Sequence, residues 1–84
     1  MSGKSLNSES ARQHCELLHT PIGVPGSGAA RYGAAMYFYF NGSITAPLLE
    51  IYRRCCKFDH EDPVALARFE GVDISTLPPL ERSV

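Results

Sequence analysis

Gly23 and Gly28 stand five positions apart, the separation of the glycines that bracket a phosphate-cradling loop at the start of a helix. That chemistry needs Lys and then Ser or Thr in the next two places. Ala29 and Ala30 stand there instead, and no hydrophobic strand precedes the loop. A dinucleotide fingerprint starting at Gly26 fits at Gly28 and fails at Arg31, which occupies the third glycine's place. What remains is a cradle for a small anion, in which Ser27, Gly28 and Arg31 would face the ligand at a helix start.

Imidazole and thiolate recur twice, as His14, Cys15 and His19 and again as Cys55, Cys56 and His60. Together they suggest zinc, but structural zinc sites use cysteines two or more residues apart, and neighbouring helical residues point about 100° away from each other. No metal and no cofactor is therefore expected. Three cysteines, two of them adjacent, do not make a disulfide framework, so reduced and mostly buried thiols are the reading. The acidic block Asp59, His60, Glu61 and Asp62 gathers carboxylates around an imidazole, the raw material of acid–base catalysis. It falls in a polar connection where Asp62 already serves as a helix cap, and it lacks the alternating ligands and central glycine of a calcium loop. No catalytic residue is nominated, and the chain is not expected to be an enzyme.

These residues have to be placed by short helices. Residues 1–9 are polar and without period, and read as a tail. Ser10 and Gln13 have capping-box spacing, which predicts a helix from Ala11 to about His19. Pro21, Gly23, Pro25, Gly26 and Gly28 deny helix to the segment Thr20 to Gly28. A second helix runs from Ala29 to Phe40, ended by Asn41 or Gly42. Thr45 and Pro47 open a third, where Leu48, Ile51, Tyr52 and Cys55 recur at helical spacing to about Phe58 and Glu50 faces Arg54. Asp62 and Pro63 open a fourth that Gly71 closes. The single domain expected over residues 10–71 is all-α, three or four short helices around the aromatic one, with an extended tail over residues 72–84. The alternative is α+β, with a hairpin of 35–40 and 43–46 turning at Asn41-Gly42.

Five of the eight Phe and Tyr residues fall between Tyr32 and Phe40, in a run apolar on every side. An 84-residue chain has little material to cover such a helix all round, so a second chain is expected to supply part of the cover. The function expected is a small non-catalytic protein-interaction module, a homodimer or an accessory subunit of a larger enzyme. It would dock through Tyr37, Phe38 and Phe40, with Leu77 and Leu80 as secondary contacts. The alternative is a nucleic-acid-binding helix-turn-helix with the third helix as reader. That helix would present Ala46, Pro47, Leu48, Leu49 and Glu50 to the bases, a set poor in base-reading side chains. A net charge of −1 supplies no general pull toward nucleic acid or an anionic membrane. Without an apolar leader or a membrane-length apolar run, the protein is expected in the cytoplasm.

Overall fold

The computed structural model describes residues 7–79. Four helices follow one another: α1 (Asn7–Leu18), α2 (Ser27–Phe40), α3 (Ala46–Cys55) and α4 (Pro63–Glu70), with no strand among the described residues. The fold is all-α, as the helical periods and caps require. α2 is central, packing against α1 on one side and α3 on the other, while α4 packs against α3.

The ends of α2 and α4 are closed by the same device. Gly42 takes a left-handed φ of 85°, its amide bonds Tyr39 O at 3.0 Å, and the amide of Ser43 reaches back to Phe38 O at 2.8 Å. Gly71 does likewise at φ 76°, with Val72 N bonding Ala67 O at 2.8 Å. These are Schellman closures, in which the glycine satisfies carbonyls that the helix cannot. They dispose of the hairpin alternative: 35–40 is helical, and Asn41-Gly42 closes a helix because Ser43 and Ile44 both bond Phe38 O and so cannot form a ladder.

Asp62 caps α4 as its type suggests, its carboxylate accepting from Val64 N at 3.0 Å. Three boundaries move: α2 takes in Ser27 and Gly28, two residues ahead of the expected Ala29, and the others are in α1 and α3. α1 begins at Asn7 rather than after Ser10, because Glu9 pairs with Arg12 and accepts from Gln13, a side-chain network that supports an earlier first turn. α3 stops at Cys55, short of Phe58, where the chain turns toward α4. Glu50 takes Arg53, not Arg54, at 2.6 Å, which frees Arg54 to bind Glu70 of α4 through both oxygens.

The core gathers Leu18 from α1, Ala34, Ala35 and Phe38 from α2, Leu48, Ile51 and Tyr52 from α3 and Ala67 from α4, with Ile44 from the α2–α3 turn. Small residues at 34 and 35 let the neighbouring helices approach α2 closely. Beyond α4, Val72, Ile74 and Leu77 fold back onto this cluster. Pro78 O accepts from His19 Nε2 at 2.8 Å, and Cys15 Sγ lies 3.3 Å from Pro79 O, which fastens the segment to α1.

Candidate functional site

Where Ser27, Gly28 and Arg31 are expected to face a small anion, the start of α2 meets a carboxylate of the chain itself, through the amides of Gly26 and Gly28. Gly26, left-handed at φ 81°, turns the backbone into α2 so that the amides of Gly26 and Gly28 converge. The carboxylate of Asp59 accepts from both, Oδ2 from Gly26 and Oδ1 from Gly28, each at 2.8 Å. Asp59 thus caps a helix more than thirty residues earlier in sequence. The bonds from Gly28 and then Gly26 hold its carboxyl below the usual range, because they stabilise the ionised form.

Gly28 itself makes this approach feasible. A Cβ there would lie 2.8 Å from Asp59 Oδ1, 2.8 Å from Cys55 O and 2.9 Å from Cys56 O, so the start of α2 rests directly on the carbonyl end of α3. Gly33, in the same helix, faces open space. By sequence Gly28 reads as a loop residue, and only the crossing of the two helices reveals its role.

Arg31 is 2% exposed, unusual for a guanidinium. Nη1 donates to Ser27 Oγ at 2.9 Å and Nη2 to Glu61 O at 3.2 Å; Thr20 O at 3.4 Å and Asp59 O at 3.5 Å are marginal partners. All four are neutral acceptors. Nε is buried and has no hydrogen-bond partner among the described residues. Arg31 therefore ties the α1–α2 loop to the α3–α4 connection. Together with Tyr52, Asp62, His19 and Thr20 it also lines a cavity of about 190 Å³ whose apolar part comes from Leu18, Pro21, Ile22, Pro63 and Val64. Burial pushes the Tyr52 phenol up to about 12, so it is a neutral hydroxyl under ordinary conditions.

The residues expected to meet a partner separate. Phe38 is in the core at 6% exposure, whereas Phe40 is 78% exposed. Tyr37 is half-buried, stacked on His14 with ring centroids 3.7 Å apart. Leu77 packs on the chain's own core, and Leu80 lies outside the described residues. Periodicity did not single out the outward stripe of α2, spaced four, three and four residues apart: Ala29 and Phe40 are exposed, Met36 is half-buried, and Gly33 opens to empty space. Phe58 and Phe69 are also exposed, at 51% and 87%.

The other chemical candidates are dispersed. His14 is engaged with Tyr37 and Ser10 O, and His19 with Pro78 O. Cys55 is buried at the end of α3, where desolvation first of all pushes its thiol up. Among the described residues no three His, Cys, Asp or Glu side chains are grouped to hold a metal ion. At the start of α3, Leu48 is fully buried and Glu50 is held by Arg53, so that face offers a nucleic acid little to read with. Among the described residues no helix is long and apolar enough to cross a membrane. Comparison of the chain with protein-family models, with curated proteins and with solved structures gives no match.

Proposed function

We propose that this chain is a non-catalytic protein-interaction module that pairs with a second copy of itself through the outer stripe of α2. The observation that carries the reading is Phe40, 78% exposed at the end of a stripe whose other members are Ala29, Gly33 and Met36. A large ring left in water forgoes the burial that drives folding, and broad rings are what interfaces bury most profitably. The stripe carries no charge, and a net charge of −1 sets up little repulsion between copies.

Its shape suits two-fold pairing. The small residues lie at the N-terminal end and the large ones at the C-terminal end, so two antiparallel α2 helices would set Met36 and Phe40 of each over Ala29 and Gly33 of the other. Phe40 replaces the wider set of Tyr37, Phe38 and Phe40, because Phe38 already belongs to the core and Tyr37 to the contact with His14. An accessory subunit would use the same stripe against a different helix.

Light scattering on the purified chain tests this directly. At tens of micromolar the expected mass is twice 9.2 kDa, falling to 9.2 kDa in Phe40→Glu with the helical spectrum retained. A wild-type monomer at several hundred micromolar refutes pairing. A Phe40→Glu dimer moves the interface off this stripe.

A further inference from the structure

The cavity beside Arg31 is built differently from the α2 stripe. Burying a guanidinium is costly unless its charge and its donors are matched, and this one has neutral acceptors and a spare Nε–H. The Asp59 carboxylate does not fill the gap, because both its oxygens are spent on Gly26 and Gly28. The Asp62 carboxylate holds Val64 N. One donor of a buried cation therefore remains unused in a residue that lines a cavity.

We propose that this cavity binds a small monocarboxylate with a compact apolar body. One carboxylate oxygen takes the Arg31 Nε–H and the other the Tyr52 hydroxyl, while the hydrocarbon lies against Leu18, Ile22, Pro63 and Val64. A single anionic charge is what the site suits. Asp62, also in the lining, repels a dianion about twice as strongly as a single charge, and the amides that would hold a phosphate at the α2 start are occupied. The lining favours carbon over further polar groups. An apolar cavity of about 150 Å³ admits benzene, so a volume of about 190 Å³ has room for a benzoate-sized molecule. Nε is closed off from the cavity as Arg31 stands, so the guanidinium turns to its ligand: the marginal bonds to Thr20 O and Asp59 O yield, and the shorter ones to Ser27 and Glu61 hold.

The test is a nitrogen–proton correlation titration of the full chain with sodium benzoate, following the Arg31 Nε–Hε resonance and the amides of Leu18, Thr20 and Val64. Benzyl alcohol and inorganic phosphate serve as comparison probes. Saturable shifts are expected with a dissociation constant of about a millimolar, as befits a ligand of so few atoms. Benzyl alcohol, of similar shape without the charge, should bind at least about tenfold more weakly, since a hydrogen bond to a charged group contributes that much. Val64→Trp, which fills the cavity from its rim, should abolish the shifts. If that variant does not fold, the wild-type comparison of probes still decides. Three results each overturn the proposal: shifts that fail to saturate, equal affinity for benzyl alcohol, or phosphate binding as tightly as benzoate.

Discussion

Two glycines in one helix should respond to the same substitution with opposite signs. In Gly28→Ala the new Cβ would stand 2.8 to 2.9 Å from Asp59 Oδ1 and from the carbonyls of Cys55 and Cys56. Carbon–oxygen contacts of that kind normally exceed about 3.3 Å, so α2 must withdraw by roughly half an ångström. The two carbonyls belong to the end of α3 and cannot rotate aside, and withdrawal also pulls the amides of Gly26 and Gly28 from Asp59. Overpacking of a well-filled site costs about 1–3 kcal/mol. Removing glycine's freedom from the unfolded chain returns about 0.4–1 kcal/mol, which leaves a net loss of roughly 1–2 kcal/mol. For a domain this size that is a fall in Tm of roughly 5–15 °C. In Gly33→Ala the Cβ meets nothing within 4 Å, so the helical preference of alanine, about 0.5–1 kcal/mol, should appear as a rise of a few degrees. Thermal and urea unfolding followed by circular dichroism, repeated over a tenfold range of protein concentration to separate any effect of pairing through the α2 stripe, measures both. Gly28→Ala as stable as the wild type, or both variants moving the same way, would refute the close crossing of α2 over α3.

Asp59 has a folded-state pKa depressed by the Gly28 and Gly26 amides, so its contribution is present above the ordinary carboxylate value near 4 and is lost as pH falls through the lower folded value. Asp59→Asn should therefore be less stable at neutral pH and show a flatter acid limb; superimposable acid-unfolding curves would count against the cap. Tyr52, raised to about 12 by burial, stays protonated in the folded state where the unfolded chain has already ionised, so stability should decline between about pH 10 and 12 by roughly 2–3 kcal/mol. Tyr52→Phe should lose that decline, and an unchanged alkaline limb would assign it elsewhere. The adjacent thiols should differ in iodoacetamide labelling read by mass spectrometry: Cys55, buried and with its thiol pushed up, at least about tenfold slower than half-buried Cys56. Equal rates would mean that the end of α3 opens readily.

What could be read from the chain is what neighbours within one or two turns decide. Asp62-Pro63 with Gly71 bounds α4, and Leu48, Ile51, Tyr52 and Cys55 mark the buried face of α3, because capping and the 3.6-residue period are local physics. The apolar run of α2 foretold a central helix. Being apolar on every side, however, it carried no signal of which rings face inward. The tertiary structure alone put Phe38 in and Phe40 out, set Gly28 on the carbonyls of α3, and delivered Asp59 to the start of α2. Burying Arg31 against three carbonyls from two connecting segments was likewise undetermined until the helices met. The contacts of Gly28, of Asp59 and of Arg31 with the α3–α4 connection join groups about thirty residues apart, and spacing along the chain holds no record of which distant backbone will be there.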